Sequence, residues 1–233
     1  MECLYLVPTR GRPANAVRLI ERFNATSTAD ARLLLILDDD DPELENYRTA
    51  LTSPDLDGQR FSYIVGPRLR LGPTLNRYAP DYAQHFETIG FMGDDHVPET
   101  PGWDRTLIDE TKRTRGIAYG NDTVHGPGLP TAVLMHSSII NALGYMVPPG
   151  LIHMYLDNFW RDLGTGLAAL VYRGDVVIRH VHPIVQGAPW DEGYVEANSF
   201  MGPDGERYQA YVFAGSLLDA VDDVRKYQAE LTA

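Results

Sequence analysis

Two acidic clusters, each closing a run of apolar residues, are where this chain is best equipped for chemistry. Leu33-Leu34-Leu35-Ile36-Leu37 ends in Asp38-Asp39-Asp40-Asp41, and Thr88-Ile89-Gly90-Phe91-Met92 ends in Gly93-Asp94-Asp95-His96. Carboxylates crowded together repel one another. A bound hard cation, Mn²⁺ or Mg²⁺, relieves the repulsion and also takes substrate phosphate oxygens. The bland reading of each cluster is a solvated turn, with Asp41-Pro42 opening a helix.

A second pattern is Arg179-His180-Val181-His182-Pro183, again after an apolar stretch. Residues two apart on a strand share a face, so His180 and His182 can face one site. Imidazole suits Mn²⁺ or Zn²⁺ and can complete a coordination shell begun by Asp95; either ring can equally be a hydrogen-bonded structural group. A third pattern is Asp157 within Met154-Tyr155-Leu156-Asp157-Asn158-Phe159-Trp160. It is either a helix N-cap or a partly buried carboxylate whose raised pKa suits proton abstraction from a hydroxyl.

Composition narrows the partners. The net charge is −12, which disfavours broad binding to a nucleic-acid backbone. Anionic phosphates must therefore be met by a metal or by local arginines, and Arg10 with Arg12, and Arg68 with Arg70 and Arg77, are close in sequence. The 233 residues, 26.0 kDa, fit one large domain with a substantial core. No apolar run approaches the roughly 20 residues of a membrane span. The start, Met1-Glu2-Cys3-Leu4-Tyr5, has no basic stretch leading into a long apolar one, so no signal peptide is expected. Cys3 is the single cysteine, which rules out an intrachain disulfide and makes the cytoplasm the default location.

The elements that must position these residues alternate. Strands are expected at Cys3–Val7, Leu33–Leu37, Phe61–Val65 and Thr88–Met92. Helical spacing appears at Asn15–Phe23, from Pro42 to Leu51, and from Thr74 to Phe86 with Pro80 starting or interrupting it. Farther on, helices are expected at Trp103–Thr114, from Ser137 or Ser138 to Gly144, at Tyr155–Leu163 with Gly164 closing it, and at Leu217–Leu231. Gly116–Tyr119, Thr131–Met135, Leu167–Tyr172 and Val176–Val181 complete the strands. Strand–helix alternation predicts a parallel α/β sheet, whose ligands bind beyond the carboxyl ends of the strands. The loops Thr9–Arg12, Asp38–Asp41 and Gly93–His96 all lie there.

In this order the motifs resemble the GT-A glycosyltransferases, and within them the family 2-like inverting enzymes. Leu6-Val7-Pro8-Thr9-Arg10-Gly11-Arg12-Pro13 is similar to the family's opening strand and nucleotide loop. Leu37-Asp38-Asp39-Asp40 is similar to the second-strand acids that read base or ribose. Phe91-Met92-Gly93-Asp94-Asp95-His96 stands at the DxD metal motif, with Pro101-Gly102-Trp103 after it. Asp157 stands at the catalytic base, and His180-Val181-His182-Pro183 resembles the late metal-binding histidine. Two departures are visible. The metal motif lacks its first acid, which makes Asp95 the principal ligand, with Asp94 or His96 assisting and a distant histidine compensating. Leu156 precedes Asp157 where the family carries a second acid.

The resemblance implies an α/β GT-A (Rossmann-like) fold, a mostly parallel sheet flanked by helices in a single domain. It implies a nucleotide-binding half at about 1–100, an acceptor-binding half at about 101–200 and a C-terminal helix at about 215–231. Pro8, Thr9, Arg10, Arg12, Asp38, Asp39, Asp40, Arg70 and Asp94 would contact the donor, Asp95 with His180 or His182 would hold Mn²⁺ or Mg²⁺, and Asp157 would be the base. The donor would be a UDP- or GDP-sugar, and the acceptor a polysaccharide, a protein or a modified nucleobase. Trp190 and Tyr194 can stack on a sugar or simply anchor packing; Asp191 is a candidate contact to acceptor or metal shell. A nucleotidyltransferase shares the plan, but Thr9-Arg10-Gly11-Arg12-Pro13 is a poor version of its glycine-rich loop. A metal-dependent phosphohydrolase or nuclease would use both acidic clusters, against the charge of −12. A non-catalytic nucleotide-sugar binding module would not need Asp157.

Overall fold

The apolar run 33–37 becomes the second strand of an eight-stranded sheet. A computed structural model describes residues 2–56, 60–181 and 191–232. Strands β1 (Cys3–Thr9), β2 (Ala31–Asp38), β3 (Phe61–Gly66) and β4 (Thr88–Phe91) alternate with helices α1 (Pro13–Thr26), α2 (Leu44–Leu51) and α3 (Leu71–Tyr82). Then follow β5 (His96–Pro98), α4 (Trp103–Thr114), β6 (Ile117–Asn121), β7 (Val133–His136), α5 (Ser137–Leu143), α6 (Leu156–Gly166) and β8 (Leu170–His180). Three helices end the described chain: α7 (Glu192–Ser199), α8 (Met201–Phe213) and α9 (Ser216–Glu230).

The strand order is β3-β2-β1-β4-β7-β6-β8-β5. Pairs β2–β3, β1–β2, β1–β4 and β6–β8 are parallel. Pairs β4–β7, β6–β7 and β5–β8 are antiparallel. The expected mostly parallel α/β sheet is present, with β7 reversing direction between two parallel blocks. Alternation along the strands divides the core. Leu4, Leu6, Leu34 and Ile36 pack with α3, α5, α6 and α9 residues on one face. Cys3, Tyr5, Val7, Leu33, Leu35 and Leu37 pack with α1, α2 and α4 residues on the other. Among the described residues, no helix is long and apolar enough to cross a membrane.

Several boundaries differ from expectation for physical reasons. Helix α3 starts at Leu71, and Pro80 sits in its last turn, where losing one backbone hydrogen bond is tolerated. Helix α6 runs past Gly164 to Gly166. Gly164 is there for closeness, since a Cβ would lie 2.9 Å from Leu170 Cδ1. The two late strands are one, β8, with a register irregularity opposite Gly120 and Asn121. His136 rather than Ser137 caps α5, accepting from the Ser138 amide. Helices α7 and α8 were not expected: α7 has no apolar stripe, and Gly202-Pro203-Asp204-Gly205 reads as a turn.

Candidate active site

A cavity of about 320 Å³ opens at the carboxyl ends of β1, β2 and β4. Pro8, Thr9, Arg10, Arg12, Asp38, Arg70, Asp94, Asp95, Asp157 and His180 all line it. Asp39 and Asp40 do not. Both are exposed at the rim, because β2 ends at Asp38 and the chain turns outward. Asp40 instead accepts from Arg10 Nη1 at 2.5 Å. His182 and Trp190 lie outside the described residues.

The first loop is built by a relay of hydroxyls. The Arg12 amide donates to Tyr47 Oη at 2.9 Å, Tyr47 lies 2.6 Å from Thr9 Oγ1, and Thr9 donates to Asp94 Oδ2 at 2.5 Å. Since Thr9 donates its one proton to Asp94, Tyr47 donates to Thr9. Burial and the neighbouring Asp95 push the Asp94 carboxyl up to about 6, with Arg12, Thr9 and Asn15 opposing. Asp38, at the end of β2, accepts from Arg10 Nη1 at 3.2 Å and has Arg68 Nε at 3.8 Å. Burial nevertheless raises its pKa.

Asp95 is the centre of the site. Its carboxylate meets His96 Nδ1 at 3.1 Å, His180 Nε2 at 3.4 Å and the Tyr194 hydroxyl, which donates at 2.8 Å. Strand pairing causes this meeting: β5 and β8 are antiparallel with His96 opposite His180, and the rings stack with centroids 4.3 Å apart. Burial alone would raise the Asp95 pKa, but the two histidines hold it well below the usual carboxylate range. Burial and His180 lower His96, whereas Asp95 raises His180 against burial.

The residues fit a cation. Asp95, His96 and His180 each present a ligand atom, all within 4.8 Å of one another. His96 Nδ1 also lies 3.2 Å from the Gly93 amide. A carboxylate with imidazoles suits a borderline divalent cation. A second group, Asp122, His125 and His180, is also close. There Asp122 already accepts from the amides of Val124, His125 and Gly126, from Thr131 and from the His125 ring. It organises a turn.

Asp157 lies in the first turn of α6 and is not its N-cap; Tyr155 holds that position with φ 64°. Burial raises the Asp157 pKa, opposed by the Asn158 amide and by His125. The loop before it is tied to α8 by Asp204, which is 0% exposed. Asp204 accepts from the amides of Ile152, His153 and Met154 at 3.1, 2.7 and 2.9 Å. The start of α3 presses on the same loop, where a Cβ at Gly72 would lie 2.3 Å from the Leu151 carbonyl oxygen. Nothing in the sequence around Asp204 marks this role. His96 is visible in the sequence beside Asp95, whereas Tyr194, expected to stack or to anchor packing, also donates to Asp95.

Helix α7 closes one wall with Gly193, Tyr194, Glu196 and Ala197. Asp191 caps it and takes a two-pronged contact from Arg12, both arms 2.6 Å. The Tyr194 ring lies 4.1 Å from the same guanidinium. Glu196 meets Arg68 at 2.5 Å and Arg70 at 2.7 Å. Arg70 itself is held at φ 73°, a strained backbone region for a residue with a side chain.

No family model matches the chain, and no curated protein matches it. Solved structures do. A mannosyltransferase from Pyrobaculum calidifontis, PcManGT, in complex with GDP-Man and Mn²⁺, matches with a TM-score of 0.56 at 13% identity, over 99% of this chain and 75% of that one. S. aureus TarS matches with a TM-score of 0.55 at 13% identity, over 78% of this chain and 37% of that one. TarS 1–349 in complex with UDP-GlcNAc matches with a TM-score of 0.56 at 12% identity, over 84% and 64%. The chain thus spans less than two thirds of the TarS chains in these two structures. At such identities the likeness is one of fold, and the chain has the GT-A arrangement.

Proposed function

We propose that this chain is a glycosyltransferase that moves a sugar from a nucleotide-sugar to an acceptor hydroxyl, with inversion at the anomeric carbon. One observation carries the reading: a single cavity at the strand ends joins the Asp95–His96–His180 cluster to the half-buried carboxylate of Asp157, whose pKa is raised. Of the similar structures, one TarS structure is in complex with UDP-GlcNAc and PcManGT is in complex with GDP-Man and Mn²⁺, and we infer a UDP- or GDP-sugar here. Mn²⁺ suits the imidazole-containing donor set better than Mg²⁺, which prefers oxygen. Asp95 and His180 would hold it, with His96 alongside and His182 as a further candidate. The bound cation supplies Lewis acidity toward the diphosphate leaving group.

The chain's own groups do the rest. Asp38 at the end of β2 would read the base or ribose, with Pro8, Thr9, Arg10 and Asp94 lining the donor side. Arg12 and Arg70 would meet the phosphates through guanidinium forks. Asp157 takes the proton from the acceptor hydroxyl as the new bond to the anomeric carbon forms and the bond to the phosphate oxygen breaks. A buried carboxylate with a raised pKa is a stronger base than one in water. The buried free thiol of Cys3 accords with a reducing, cytoplasmic setting.

A thermal-shift panel of UDP-, GDP-, TDP- and CMP-sugars with and without Mn²⁺ tests the reading, since ligand binding raises apparent stability. A shift that needs both metal and one class of nucleotide is expected. Absence of any metal-dependent shift across the panel refutes it.

A further inference from the structure

The cationic groups that would meet phosphate are already engaged. Arg12 is forked onto Asp191, while Arg68 and Arg70 share Glu196. Both acids belong to one short piece of chain, the N-cap and the fifth residue of α7. Between them Tyr194 lies against Arg12 and donates to Asp95. This segment therefore touches three arginines and the carboxylate of the metal cluster at once.

Two carboxylates offered to guanidinium forks present oxygens much as two phosphoryl groups do. Charge points the same way. Arg10, Arg12 and Arg70 line the cavity with Asp38, Asp94, Asp95, Asp157 and Glu196, and Asp191 and Arg68 adjoin it through Arg12 and Glu196; together these groups hold an excess of two acids when all are ionised. A divalent cation brings that set only to neutrality, which offers no net attraction to a nucleoside diphosphate. Withdrawal of Asp191 and Glu196 leaves the cation-loaded cavity with two positive charges, enough to offset two phosphate charges. The exchange is within reach, because the side chains of Asp191 and Glu196 are 40% and 32% exposed, and solvent-screened ion pairs are weak.

We propose that Asp191 and Glu196 are intramolecular stand-ins for the donor's diphosphate. They hold Arg12, Arg68 and Arg70 in the empty protein, give way to the donor, and return to help expel the nucleoside diphosphate after transfer. The inference rests on the nucleotide-sugar reading above. Its consequence is an affinity-setting role: donor affinity is reduced by the fraction of molecules in which α7 covers the arginines.

The test is calorimetric titration of UDP and GDP, with Mn²⁺ at fixed ionic strength, into the full chain and two variants. Asp191→Asn/Glu196→Gln keeps shape and the helix cap but removes both charges. Glu192→Gln makes a like change at an exposed neighbour on the same helix. The double variant is expected to bind the preferred nucleotide about threefold to tenfold more tightly, and Glu192→Gln to stay within about twofold of the starting protein. Equal or weaker binding by the double variant overturns the inference while leaving the nucleotide reading intact. An equal gain from Glu192→Gln reduces the effect to general charge and also overturns it. Failure of all three proteins to bind either nucleotide removes both readings together. Hydrogen exchange on the unaltered chain is independent of how the variants fold. Amides of residues 192–199 are expected to exchange faster at saturating nucleotide, and slower exchange would show α7 closing on the donor instead of yielding.

Discussion

Burial sets Asp157 against its own charge. Its pKa is raised by desolvation, so activity should climb with pH through a value above the ordinary carboxylate one, as the base loses its proton. Asp157→Asn should lower kcat by about 10²–10⁴ and abolish that pH dependence while donor affinity stays unchanged. Loss of donor affinity in steady-state and binding measurements would assign Asp157 a structural role. The same shift has a stability consequence of definite sign. The folded form keeps its proton to higher pH than the unfolded chain, so stability declines as pH rises between the two pKa values. The asparagine variant should therefore melt higher than the parent at neutral pH, with the advantage fading below the ordinary value of 3.8. Asp95→Ala tests the other end of the cavity. It removes the carboxylate on which His96, His180 and Tyr194 converge, and Mn²⁺-dependent nucleotide binding should disappear in the thermal-shift assay.

At the scale of elements, the loop before α6 decides where Asp157 stands. Asp204→Ala would leave three loop amides without their acceptor, at about 1–3 kcal/mol for an unsatisfied buried group. A loss on the order of 3 kcal/mol, seen as a fall of about 6–12 °C in melting temperature, is expected. Asp204→Asn, which keeps one acceptor oxygen, should lose less. Gly72→Ala drives a methyl group into the Leu151 carbonyl, and overpacking of that kind costs about 1–3 kcal/mol. Because Gly72 is two residues from Arg70, donor affinity should weaken with stability, which a titration of purified protein would show. Little of this could be read beforehand. The acid-ended strands β2 and β4 were legible because an apolar run and its polar end are local signals. The contacts of Asp204 with residues 152–154 and of Asp191 with Arg12 join distant parts of the chain, and a single sequence carries no record of such pairing. His180 was legible as a candidate, but its stacking on His96 depends on the antiparallel β5–β8 pair, and β5, only three residues long, gave no strand signal.

Across the whole molecule, the C-terminal helices complete the core. Tyr208, Ala220, Val221 and Val224 are buried in the same cluster as Ile117, Ile139 and Leu163. Each large apolar side chain so buried contributes roughly 1.5–3 kcal/mol, and typical domains have only about 5–15 kcal/mol in total. A chain ending at Ser199 should therefore fail to give a cooperative thermal transition by circular dichroism; a sharp, reversible melt would show that α8 and α9 are dispensable.

One wall of the cavity also supplies an optical consequence. Trp160 lines the site, packs at a 40° tilt against Phe91 with ring centroids 5.5 Å apart, and donates its indole N–H to the Met146 carbonyl oxygen at 2.9 Å. Trp103 is sealed on the opposite face of the sheet against Tyr5 and Phe23. These two of the chain's three indoles therefore differ as emitters: one beside any bound guest, one shielded from it. With Trp190 replaced by Phe, a paramagnetic ion or a nucleobase entering the cavity should dim the first and leave the second as a steady background, so the protein without any added label carries its own fluorescent gauge of occupancy.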